Sequence, residues 1–181
     1  MFAADLYGIV PDIITFGKGI GGGFPLAGIM ASERLSGFSG GEDALTFGQF
    51  PVAMAAAVAT LDAIVADDLC RNAHDIGEYA TQRLIQMMEH RKLIGDVRGP
   101  GLFVSIELVK DRRTKEPAPQ AAAEVYRLGV EKGVLFGENR YANLGNLIKI
   151  KPPLDVTRQQ MARALDVLDD VLGTIEQSMG I

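Results

Sequence analysis

Pro11-Asp12-Ile13-Ile14-Thr15-Phe16-Gly17-Lys18-Gly19-Ile20-Gly21-Gly22-Gly23-Phe24-Pro25-Leu26 is the stretch on which the reading of this chain turns. The apolar run Ile13 to Phe16 predicts a short buried strand that stops at Gly17. Lys18 follows, and then four glycines within the five residues 19–23. Glycine admits positive φ and close backbone approach at little steric cost, so this loop is shaped to fit something. Its order excludes two phosphate-binding motifs. A P-loop carries its lysine after the glycines, followed by Ser or Thr, whereas Lys18 precedes them. A dinucleotide fingerprint needs a helix directly after the glycines. Here Pro25 and the apolar run Leu26 to Ala31 predict a second strand.

A lysine on such a loop, just past a buried strand, can be held against a ligand while its water is stripped away. Desolvation lowers a lysine's pKa and makes the amine a nucleophile. Such an amine forms Schiff bases with carbonyl compounds, the aldehyde of pyridoxal phosphate among them. On composition alone, a structural Gly-rich turn with a solvated lysine stays equally open.

The segment Asp12 to Ala31 closely resembles the cofactor-lysine segment of the class III (omega-type) aminotransferases, fold-type I pyridoxal 5'-phosphate enzymes. The shared pattern is Pro-Asp, an apolar strand, Gly-Lys-Gly, a glycine run, then Pro-Leu and another strand. The resemblance continues through Thr46-Phe47-Gly48, Pro51 and the alanine-rich segment after it. It resumes at Gly95-Asp96-Val97-Arg98-Gly99 and at Lys149-Ile150-Lys151-Pro152-Pro153-Leu154. It implies that Lys18 is the Schiff-base lysine and that Thr46 binds the cofactor phosphate, commonly that of the neighbouring subunit. A hydroxyl and backbone N–H groups before a helix start suit a phosphate dianion. One departure is local: members of the family usually have Gly then Asn or His before the proline, and this chain has Gln49 and Phe50.

Composition sets the frame. With 181 residues the chain is one large or two small domains, and 48% hydrophobic with 23% charged residues describe an ordinary globular protein. A net charge of −5 argues against nonspecific nucleic-acid binding. The single cysteine, Cys70, excludes an internal disulfide and a cysteine-based metal site. His74 and His90 stand 16 residues apart in a polar helical segment, which is no metal-ligand spacing, so no metal is expected. No basic n-region with an apolar core opens the chain, and no run of about 18 apolar residues occurs, so the expectation is a cytoplasmic protein that spans no membrane.

Further along, Ser32 to Leu35 predicts one helical turn and Ser36 to Asp43 a loop. Pro51 is placed as the first residue of a helix over Val52 to Ala66, whose alanines predict close packing against a sheet or a partner. Asp67 or Asp68 offers an N-cap for a second helix to about His90. Ile94 to Gly101 reads as a turn-rich approach to a strand over Leu102–Val109. The remainder predicts a helix over Gln120–Lys132, a strand over Gly133–Phe136, a polar loop over Glu138–Asn146 and a strand over Leu147–Lys151. Thr157 and Gln160 form a capping box for a closing helix to about Ser178. The fold class is therefore α/β. Residues 1–93 are read as a partial cofactor-binding large domain and 94–181 as a small C-terminal α+β domain.

The resemblance also implies what lies outside the chain. The acidic partner of the cofactor's pyridine nitrogen, the phosphate-cup glycines and the stacking aromatic stand upstream of Met1 in relatives. The expectation is thus roughly the C-terminal half of an enzyme, completed as a homo-oligomer, a dimer, or by a complementing N-terminal half. Three functions stay open. The first is transamination between an amino donor and an oxo-acid acceptor, with Lys18 as the general acid/base. The second is a phospho-lyase acting on phosphorylated amino alcohols, suggested by the ending Asn146 to Pro153. There Lys149 stands where many transaminases carry a carboxylate-binding arginine, and a point charge suits phosphate equally; a solvent-facing Lys149 is the alternative. The third is a catalytically incomplete fragment. Arg98 is assigned no site.

Overall fold

The structure is a computed structural model and describes residues 1–35, 37–42, 45–46, 48–138 and 145–181. The chain divides into two compact units, Met1–Cys70 and Arg71–Ile181.

In the first unit a short helix, α1 (Ala3–Leu6), precedes strand β1 (Ile13–Gly17). A 3-10 turn over Lys18–Gly21 leads to strand β2 (Ala27–Ala31), which returns antiparallel to β1 with Ile13 opposite Ala31 and Gly17 opposite Ala27. Helix α2 (Pro51–Ala66) starts on Pro51, whose fixed φ and missing N–H suit a first helical position. The predicted turn at Ser32–Leu35 appears as a single hydrogen-bonded turn, closed by the Leu35 N–H donating to the Ser32 carbonyl.

Two expectations change here. The lysine strand was expected to be buried, but Ile13 is 54% exposed, because β2 is the one strand paired with β1 among the described residues. Helix α2 was expected to be covered, but it buries Ala53 and Ala57 and exposes Val52, Met54, Val58 and Val65.

The second unit holds the hydrophobic core cluster. Helix α3 (Leu69–His90) follows Asp68, whose φ of +48° breaks the helical path after α2. Strands β3 (Ile94–Arg98), β4 (Val104–Asp111), β7 (Leu147–Ile150) and β6 (Gly137–Glu138) form an antiparallel sheet in that spatial order, and β5 (Glu116–Pro117) pairs with β4. Helices α4 (Pro119–Glu131) and α5 (Arg158–Met179) complete the unit. Period-2 alternation turns Val104, Ile106 and Leu108 of β4, with Ile148 and Ile150 of β7, into the core. There they join Leu84 of α3, Val125 of α4 and Leu165 and Leu168 of α5. Each fully buried leucine contributes about 2 kcal/mol. The helix read up to His90 thus packs with the C-terminal strands, whereas a division at 93/94 follows the change in hydrophobic period.

The capping box forms as the sequence predicts: the Gln160 N–H donates to Thr157 Oγ1 at 3.2 Å, and the Thr157 N–H donates to Gln160 Oε1 at 2.9 Å. The strand expected over Gly133–Phe136 is displaced to Gly137–Glu138. Gly133 takes φ +78° and the Val134 N–H donates back to Gly129, so the helix end consumes these residues before pairing with β7 begins. Residues 139–144 of the predicted polar loop lie outside the described residues. No helix among the described residues is long and apolar enough to cross a membrane.

Candidate cofactor site

Lys18 stands where the ladder of β1 ends. Gly17 is still held opposite Ala27, and the chain then turns into the 3-10 segment. Lys18 adopts φ +55°, a left-handed conformation uncommon for a side chain with a Cβ. Such conformations cost about 1–3 kcal/mol and persist where the surroundings impose them. The side chain is exposed. Along the same loop, a Cβ added to Gly19 or Gly23 would meet nothing within 4 Å, so the backbone is open at both positions. Gly21 is buried against Leu26, and Gly22, at φ +58°, lies against α2.

Thr46 is exposed and lies just before α2. It lines a hollow of about 360 Å³ together with Pro25, Leu26, Ala27, Phe50 and Ala53. The segment after the glycine run and the threonine therefore share one concavity, and Ala27 is the ladder partner of Gly17, the residue before Lys18. Phe47, inside the Thr-Phe-Gly motif, lies outside the described residues.

Lys149 belongs to the second unit. It is half-buried on the outward face of β7, in register with Ser105 on β4 and Gly137 on β6. It lines a hollow of about 630 Å³ with Lys151, Glu138, Gln160 and apolar residues from 134–136 and α5. Lys151 stands 5.3 Å from the centre of the Phe103 ring. Arg98 is in register with Ser105 on the same face. Its guanidinium donates to Asp96, and to Glu107 at 3.1 Å. The hydrogen bonds to Asp96 and Glu107 push the Arg98 pKa above its ordinary value. The Arg98 guanidinium is thus engaged by two carboxylates of its own sheet.

The family model described as Aminotransferase class-III matches residues 1–172. The chain belongs to the class-III aminotransferase family. Within it, this chain is 39% identical to the 4-aminobutyrate aminotransferase of Mycobacterium leprae over 179 residues, covering 96% of this chain and 38% of that protein. It is 37% identical to the leucine/methionine racemase of Thermococcus litoralis over 177 residues, covering 97% of this chain and 39% of that protein. The PLP-bound amine transaminase from an uncultivated Pseudomonas species superposes with a TM-score of 0.85 at 30% identity, covering 96% of this chain and 41% of that one. This class-III chain thus spans about 40% of the length of the relatives it matches. Its α/β fold is that part of the fold-type I architecture which these relatives share with it.

The sequence reading missed the contact between the glycine run and α2. The small residues Ala53, Ala56, Ala57 and Thr60, at helical spacing, were the available signal, because only small side chains let a loop backbone rest on a helix. Among the described residues no cluster of His, Cys, Asp or Glu could hold a metal ion.

Proposed function

We propose that this chain supplies the lysine loop and C-terminal unit of a pyridoxal 5'-phosphate-dependent class III aminotransferase. That enzyme moves an amino group between an amine or amino acid and an oxo acid. The observation that carries the reading is Lys18, held at φ +55° at a strand end and followed by a glycine run with open space at Gly19. The residues present fit the cofactor: an exposed amine on an open loop, and an exposed hydroxyl before a helix start that would serve the neighbouring subunit's cofactor.

Pyridoxal phosphate, when bound, supplies an electron sink for the electron pair at the substrate's Cα. Lys18 Nζ would hold it covalently. As a free amine, the same Nζ would accept the Cα proton and, as an ammonium, deliver it at the far carbon of the 1,3-proton shift, so one residue would serve as both base and acid. The Thr46 hydroxyl would donate to a phosphate oxygen, from the neighbouring subunit of a homodimer. Lys149 would meet the anionic end of the substrate as a point charge. The exposed apolar side chains of α2 and the uncovered faces of β1 and β2 are the surfaces that a second subunit, or the rest of a longer fold, would cover. Amino donor and acceptor bind in the assembled enzyme.

Phosphate elimination from a phosphorylated amino alcohol is the second reading. Lys149 and Lys151, two residues apart and lining one hollow, favour it. The deciding experiment co-expresses the chain with the N-terminal half of a class III relative. The assembly is offered an amino acid with an oxo acid, or a phosphorylated amino alcohol. Amino transfer to the oxo acid supports the first reading. Inorganic phosphate release without amino transfer replaces it with the second.

A further inference from the structure

A Cβ placed on Gly22 would lie 2.6 Å from Thr60 Oγ1 and 3.4 Å from the Ala56 carbonyl oxygen. The backbone of the glycine run therefore rests directly on one turn of α2. Thr60 is half-buried, and its hydroxyl donates to the Ala56 carbonyl at 2.8 Å, so both atoms that Gly22 meets belong to the same turn of the helix. From there, hydrogen bonds run back through the turn. The Gly22 N–H donates to the Gly19 carbonyl at 3.1 Å, and the Phe24 N–H donates to the Gly21 carbonyl at 3.0 Å. At the other end the ladder holds Gly17. Lys18 sits between these two anchors in a conformation that an unheld lysine leaves.

We infer that Thr60, with the Ala56 carbonyl, is a positioning residue: α2 seats the glycine turn and thereby sets the backbone of Lys18. A nucleophile displaced by about 1 Å can lose on the order of a hundredfold in rate, so a helix contact three residues beyond the turn's first glycine matters to the amine. The inference rests on the reading of Lys18 as the cofactor lysine, and its test separates the two.

Thr60→Leu adds bulk where Gly22 rests, and Thr60→Val keeps the branched shape. In the 181-residue chain, hydrogen exchange is followed over residues 17–24 and over α5. In parallel, pyridoxal phosphate is added to the chain co-expressed with the N-terminal half of a class III relative, reduced with borohydride and mapped, with Lys92 as internal reference. Thr60→Leu is expected to speed exchange over 17–24 about tenfold, leave α5 unchanged, and cut labelling of Lys18 relative to Lys92 about tenfold. Thr60→Val is expected to match the parent in both. Unchanged exchange over 17–24 in Thr60→Leu overturns the inference. Faster exchange with undiminished Lys18 labelling, or an equal rise in α5, overturns it too. If the parent chain labels Lys92 but not Lys18, the cofactor reading falls, and the exchange measurement alone decides whether α2 holds the loop.

Discussion

Gly77 on α3 and Gly101, in the turn before β4, touch backbone to backbone: a Cβ on Gly77 would lie 2.3 Å from the Gly101 carbonyl carbon and oxygen. Neither partner can yield as a flexible side chain would, because both are main chain. Gly77→Ala is therefore expected to destabilise the second unit by about 2 kcal/mol, an overpacking cost that exceeds the helix-propensity gain of alanine. Gly40→Ala, where an added Cβ meets nothing within 4 Å, is expected to stay near neutral. Urea unfolding of the two variants checks the contrast.

Asp169 joins α5 to the end of α3. It accepts from Arg91 Nε at 2.6 Å and contacts His90 Nε2 at 3.1 Å. Burial pushes its pKa up, but the hydrogen bonds from Arg91 and His90 and their charges outweigh this and hold the carboxyl below its ordinary value. A carboxyl with a depressed folded-state pKa contributes stability that is fully present above its unfolded value of about 4 and is lost as pH falls through the folded one. The urea midpoint is thus expected to fall between about pH 4.5 and pH 2.5 less steeply in Asp169→Asn than in the parent.

Thr157→Ala removes the oxygen that accepts the Gln160 N–H at the start of α5. The expected cost is about 1 kcal/mol. Thermal unfolding measures it, and Thr157→Ser is expected to recover most of the loss.

Much of this was legible in the chain itself. The Gly-Lys-Gly segment, the proline-started helix and the capping box each carry a local chemical signature, and each forms. Strand β3 was not legible, because Gly95 and Asp96 read as a turn. Gly95 is there because Val109 on β4 crowds it: a Cβ would lie 2.7 Å from both Val109 methyl carbons. That requirement comes from a partner far away in sequence. The exposure of β1 and α2 was equally hidden, since a local pattern says that a face is apolar but not what covers it.

Thr46 is expected to act across a subunit boundary. Thr46→Ala should weaken retention of pyridoxal phosphate about tenfold, as loss of a hydrogen bond to a charged group would. In the assembled enzyme, mixing Thr46→Ala chains with Lys18→Ala chains should restore one intact site per mixed dimer and with it part of the activity. No recovery in mixed dimers of confirmed composition would place the threonine and the lysine of each site on the same chain.

The central claim is that Lys18 is the cofactor lysine, and covalent trapping tests it most directly. The chain, co-expressed with the N-terminal half of a class III relative, is incubated with pyridoxal 5'-phosphate, reduced with borohydride, digested and mapped. The account predicts that the label sits on Lys18 in preference to every other lysine and that Lys18→Arg removes it. Labelling spread evenly over the other lysines, with Lys18 unmodified, would contradict it.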